Sequence, residues 1–125
     1  MADARSTAAY LCGKLYATLW ALGVLGTAAP TPSPLTPGRD ESTARFPRDE
    51  LKRRLAAAGA HMITAKGRGG DRAQAASEVF RSIPDLIPVA GLPQKRYTNQ
   101  EVLQFSQGCA AQLTTYREKY GSLLH

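Results

Sequence analysis

Between Tyr10 and Ala29 the chain carries a single charged side chain, Lys14, and this run limits the possible folds more than any other feature of the sequence. A stretch so apolar is buried in a core, crosses a bilayer, or is the hydrophobic centre of an export signal. Gly26-Thr27-Ala28-Ala29-Pro30 supplies the small residues of a cleavage site, whereas Asp3 weakens the positive segment an export signal needs upstream. Counted from Leu15, the run is shorter than the roughly 18 to 20 residues of a membrane span. A core helix accounts for it best. Ser6 or Thr7 serves as N-cap, and Tyr10, Leu11, Leu15, Leu19 and Leu22 share one broad face with Lys14 and Thr18 toward its edge. Gly13 leaves room for a second helix, and Pro30 stops the element.

At 125 residues the chain is one domain with enough length for a single core. Residues 29–46 change character, with Pro30, Pro32, Pro34 and Pro37 among Thr, Ser and charged residues. Prolines at alternate positions forbid a helix and favour extended geometry, so this stretch reads as a connector.

Three further helices follow. The second opens at Pro47, where the missing N–H costs nothing, and places Asp49 and Glu50 at the positive end of its dipole. Leu51, Leu55, Ala58 and Met62 form its apolar seam, with Arg48, Lys52, Arg53 and Arg54 outside it. Lys66-Gly67-Arg68-Gly69-Gly70 reads as a mobile basic turn; it lacks the phosphate-loop pattern and follows a helix instead of a strand. The third helix carries Ala75, Ala76, Val79, Phe80 and Ile83, with Pro84 as its stop. Pro84 to Pro93 is then an apolar strap, laid over the core or offered to a partner. Thr98 with Glu101 gives a capping box, and Val102, Phe105, Cys109, Leu113 and Tyr116 or Tyr120 mark the buried stripe of the last helix. The expected fold is therefore an all-α four-helix bundle, with helices at about 7–25, 47–66, 71–83 and 98–120 and a Pro-rich connector at 29–46.

The net charge is +6, and a surplus of that size favours a polyanionic partner. Eleven of the sixteen Lys and Arg lie between Arg45 and Arg96, against five acids. Arg48, Lys52, Arg53, Lys66, Arg68 and Arg72 are the candidate phosphate contacts, with Lys95 and Arg96 as a second cluster. Pairing of Arg53 or Arg54 with Asp49 or Glu50 competes with that role.

Catalytic chemistry finds little footing. The ten acids are scattered, mostly at helix starts, and the two histidines, His61 and His125, have no Cys or Ser partner at useful spacing. Cys12 and Cys109 stand alone among apolar neighbours and read as buried free thiols, although an exported chain could join them. No catalytic residue, metal or cofactor is assigned.

Two segments carry a family resemblance. Ala9-Tyr10-Leu11-Cys12-Gly13-Lys14-Leu15-Tyr16-Ala17-Thr18-Leu19 fits the pattern AYxxGxLxAxL, and Phe105-Ser106-Gln107-Gly108 through Gln112 fits FxxGxxxQ. Together they resemble the first and last helices of the carboxy-terminal bundle in the large subunit of the type I-C CRISPR Cascade complex, a bundle that also exists as a separate small subunit. Cys109-Ala110-Ala111 replaces that family's aromatic residues, and Trp20 stands where a charged residue is more usual. The resemblance implies a non-catalytic, cytoplasmic subunit with no membrane contact. Its implied partners are crRNA, single-stranded or R-loop DNA and the other subunits of the effector complex, held through a basic surface. Two other classes remain open on the residues alone. One is a helical adaptor or regulator that binds protein through the Pro84 to Pro93 strap; the other is a secreted helical protein whose leader is 1–29.

Overall fold

A computed structural model of the chain describes residues 4–26, 45–89 and 91–123. The described residues form an all-α four-helix bundle: α1 (Ala4–Leu25), α2 (Arg48–Arg68), α3 (Gly70–Leu86) and α4 (Asn99–Tyr120), followed by a 3-10 turn at Gly121–Leu123. Most of the connector expected at 29–46, including its four prolines, lies outside the described residues.

Helix α1 is the centre of the bundle, in contact with each of the other three helices. Cys12, Leu15, Tyr16, Ala17, Thr18, Leu19, Trp20, Ala21 and Leu22 are all buried, so nearly every face of the helix is covered. A helix apolar all round has to be enclosed in this way. The expectation of one apolar face with Thr18 near its edge is thereby corrected. Thr18 is fully buried because its hydroxyl has partners in the core: the Lys14 carbonyl at 2.8 Å and the Tyr116 hydroxyl at 2.8 Å. The start is corrected too. The helix begins at Ala4, so Ser6 and Thr7 lie inside it and not at its cap. Counted from Ala8, the run to Leu25 is 18 residues, long and apolar enough to cross a membrane by length and composition, although most of it is buried against the other helices.

Helix α2 runs parallel to α1. Arg54 sits over the Tyr16 ring at 5.0 Å, and His61, seven residues on, packs its backbone against Gly26. Parallel neighbours require a long crossover, and residues 27–44 have the length for one. Pro47 lies one residue before the helix and not within it, and its carbonyl accepts the Leu51 N–H at 2.8 Å. Leu51 and Ala58 are buried on the expected seam, Leu55 and Met62 pack partly against the core, and Ala65 extends the seam by about one turn.

The glycine-rich stretch is less of a turn than its composition implies. Lys66, Gly67 and Arg68 are helical, and Gly69 alone separates α2 from α3. Gly69 and Gly70 have φ of 69° and 62°, the left-handed region where a side chain is strained. Two glycines therefore make a reversal that would otherwise need a longer loop.

Pro84 does not stop α3, which continues to Leu86. Close to a helix end the missing N–H removes only one bond, and the Pro84 carbonyl still accepts the Ile87 N–H at 3.4 Å. The strap that follows is divided. Pro88 is buried and Leu86 and Leu92 lean on the core, whereas Ile87 is 37% and Val89 109% exposed.

Helix α4 has the capping box read from the sequence. The Thr98 N–H donates to the Glu101 carboxylate at 2.9 Å, and the Glu101 N–H donates to the Thr98 hydroxyl at 3.2 Å. Phe105, Cys109, Leu113 and Tyr116 are buried, and Val102 and Tyr120 lie partly so. The helix crosses α1 at two glycines. A Cβ on Gly13 would lie 2.0 Å from the Phe105 carbonyl oxygen, and one on Gly108 would lie 2.1 Å from that of Tyr10. Both cysteines near this crossing are free thiols.

Candidate nucleic-acid interface

The candidate cations fall into unlike groups once the chain is folded. Arg72 is half-buried, and its guanidinium donates to the carbonyls of Val24 (3.3 Å) and Leu25 (3.2 Å). These are last-turn carbonyls of α1, which no intrahelical N–H can reach. Arg72 is a C-terminal cap for the central helix and not a free phosphate contact. Position in sequence could not reveal this, because the partner is some 48 residues away.

Arg53 is also engaged. Glu50 accepts hydrogen bonds from Arg53 and, at 2.7 Å, from Arg54, as the i+3 and i+4 spacing suggests. Partial burial pushes the Glu50 carboxyl up, but the bonds from Arg54 and Arg53 outweigh this and hold it below the usual carboxylate range. Arg54 meanwhile covers the Tyr16 ring.

Six candidates remain: Arg48 is half-buried, and Lys52, Lys66, Arg68, Lys95 and Arg96 are exposed. None has an ion-pair partner among the described residues. The fold brings the segment carrying Lys95 and Arg96 to the chain that enters α2. The Tyr97 N–H donates to the Arg45 carbonyl at 2.7 Å, and the Arg45 guanidinium returns a bond to the Tyr97 carbonyl at 3.2 Å. Tyr97 itself is buried against Phe105, ring centroids 6.2 Å apart. This junction sets Lys95 and Arg96 beside the chain that leads into α2, where Arg48 and Lys52 share a face one turn apart. Asp49 is the nearby exposed acid, and Glu50 is occupied by its arginines. Lys66 and Arg68 are elsewhere: fourteen residues of helix separate Lys52 from Lys66, about 21 Å at 1.5 Å per residue. Arg45 is the contributor that sequence reasoning missed; it counted toward the charge, but its role as a clamp depends on a contact 52 residues distant.

The same corner holds a groove of about 540 Å³ between the start of α1, the segment 91–98 and the first turn of α4. Cys12 and Tyr97 form part of its lining, with Ala8, Leu92 and Pro93 on its sides and Lys95 and Arg96 on its rim. Burial raises the Cys12 thiol, only partly offset by its hydrogen bond with Tyr97, and burial likewise raises the Tyr97 hydroxyl. Both are uncharged at neutral pH.

No known protein family, curated protein or solved structure matches this chain. The residues behind the family resemblance have structural work of their own. Gly13 and Gly108 permit the α1–α4 crossing, Phe105 packs edge-on against Tyr16 with centroids 5.9 Å apart, and the Gln112 amide donates to the Tyr116 hydroxyl at 2.7 Å. The two patterns are thus the two sides of one helix crossing.

Among the described residues no three His, Cys, Asp or Glu side chains gather as a metal site. His61 is half-buried, with its backbone against Gly26.

Proposed function

We propose that this chain is a non-catalytic, nucleic-acid-binding helical subunit, and that the assembly it serves is a CRISPR effector complex. The observation that supports the first part is the Arg45–Tyr97 junction, which brings the segment with Lys95 and Arg96 to the chain entering α2, the helix that carries Arg48 and Lys52. Cations without carboxylate partners attract phosphate irrespective of base sequence, which suits a subunit that braces a strand whose sequence a guide reads by pairing. The second part rests on the paired patterns around Gly13 and Gly108. Guide RNA and displaced single-stranded DNA are the partners that this reading assigns.

Binding of labelled single-stranded DNA, duplex DNA and RNA across a salt series tests it. Four neutralised phosphates on a single strand give a slope of about −3 for log affinity against log salt. Replacing Arg48, Lys52, Lys95 and Arg96 together by Ala abolishes binding and leaves helicity unchanged, because none belongs to the core. Absence of binding at low salt refutes the proposal for the free chain.

A second reading has one observation in its favour. Leu55, Ala58, Phe80, Ile83 and Pro84 line an apolar groove of about 320 Å³ between α2 and α3, and Ile87 and Val89 are exposed just beyond it. An adaptor that docks protein there binds through apolar area, and its affinity survives high salt.

A further inference from the structure

The groove at the start of α4 differs from the basic surface around it, and the difference bears on what the surface holds. Its rim carries Lys95 and Arg96, both exposed and without an ion-pair partner among the described residues. Apart from Glu101 at the α4 end, its interior is neutral and mostly apolar: Ala8, Leu92, Pro93, and the buried thiol and phenol of Cys12 and Tyr97. The polar groups at its end are already committed, since the capping box ties the Thr98 hydroxyl and N–H to Glu101.

That capping box decides between two occupants. A phosphate drawn to the first turn of α4 would meet the Glu101 carboxylate, and like charges at close range repel. A flat uncharged group meets no such penalty and gains apolar contact with the lining. A nucleobase is such a group, and it arrives with phosphates attached on either side. Unstacked bases are commonly held against apolar or planar side chains, Arg guanidinium planes among them. Arg96 and Lys95 are placed to take the flanking phosphates or cover the inserted base.

The seat is also held in shape. Gly91 turns the chain with φ of 87° and donates its N–H to the Pro88 carbonyl at 2.8 Å; six residues on, Tyr97 is clamped to Arg45. A segment fixed at both ends loses little freedom on binding.

We infer that this groove seats one unpaired base of a single-stranded nucleic acid, with the adjoining phosphates on Lys95 and Arg96. The inference rests on the nucleic-acid reading above and narrows it: the surface prefers single strands, whose bases are free to turn out, over duplex.

The test compares a short single strand with an abasic strand of the same length and charge, both bound to the full chain by fluorescence anisotropy at several salt concentrations. The expected result is about a tenfold weaker affinity for the abasic strand with the same salt slope, since one seated base is the difference. Ala8→Phe, which fills the groove from α1, removes that difference while leaving the salt slope unchanged. Equal affinity of wild-type protein for the two strands overturns the base seat even if Lys95→Ala with Arg96→Ala weakens both; phosphate binding then stands alone. No binding of either strand overturns the seat together with the reading beneath it. The wild-type comparison does not depend on the variant folding.

Discussion

Adding one methyl group at Gly13 or Gly108 tests the reading of the α1–α4 crossing. In each case the new Cβ meets backbone, at 2.0 Å from the Phe105 oxygen or 2.1 Å from the Tyr10 oxygen, where ordinary contact begins at 3.4 Å. A side chain can swing aside, but a helix backbone moves only as a unit, so the helices must part by more than 1 Å. Overpacking of this kind costs about 3 kcal/mol at the upper end of its usual range. Against this stands the helix preference of Ala over Gly, about 1 kcal/mol. The net loss is about 2 kcal/mol, and at about 4 °C per kcal/mol for a domain of this size Tm falls by about 8 °C. Gly59 provides the internal control, since a Cβ there has no atom within 4 Å. Gly59→Ala keeps the helix gain without the clash and raises Tm by about 4 °C by the same conversion. Thermal unfolding followed by far-ultraviolet circular dichroism reads all three. Combining Gly13→Ala with Gly108→Ala costs less than the sum, because one separation of the helices relieves both clashes. If Gly13→Ala and Gly108→Ala melt at or above the wild-type temperature, the close crossing is refuted.

Arg72→Met exposes the capping role directly: losing the bonds to Val24 and Leu25 costs about 1 to 2 kcal/mol in urea denaturation, whereas Lys66→Ala with Arg68→Ala changes stability by under about 0.5 kcal/mol. Tyr116→Phe removes the partner of the half-buried Gln112 amide and one of the two partners of the Thr18 hydroxyl, which keeps its bond to the Lys14 carbonyl, and costs about 1 kcal/mol in the same assay. Burial pushes the Cys109 thiol up to about 11 and the Cys12 thiol in the same direction. Their folded values lie above the unfolded value of about 8.5, so this contribution is complete below that pH and is lost as pH rises toward 11. Denaturation midpoints at pH 7 and pH 10 measure it; the buried Cys109 thiol does not react with a soluble disulfide reagent until the chain unfolds.

Local rules read from the sequence carried over where the interaction itself is local. The Thr98–Glu101 box and the Glu50 pairs are made within four residues, and each is present in the fold. The apolar seams of α2 and α4 were legible for the same reason: their periodicity already says which side faces inward. The burial of Thr18 and the capping contact of Arg72 were not legible because their partners, Tyr116 and the end of α1, are far away in sequence. Pro84 was misread in another way. The rule that proline stops a helix applies to interiors, and within a last turn its cost is small enough for packing to override. Of the candidate interface, the cations were legible one by one, but their grouping was not. It depends on Arg45 meeting Tyr97, and nothing in the spacing of either residue indicates that contact.

The central place of α1 also bears on how the chain is made. Thr18 and its partner Tyr116 are 98 residues apart, so at synthesis rates of about 5 to 20 residues per second the helix that becomes the middle of the core waits roughly 5 to 20 seconds for α4. Throughout that interval an 18-residue apolar helix near the amino terminus is without its principal cover. By length and composition alone, it then has the features of a segment that could cross a membrane. A chain that stops before α4 therefore leaves this helix without the element that packs against it most, and completing α4 supplies that cover.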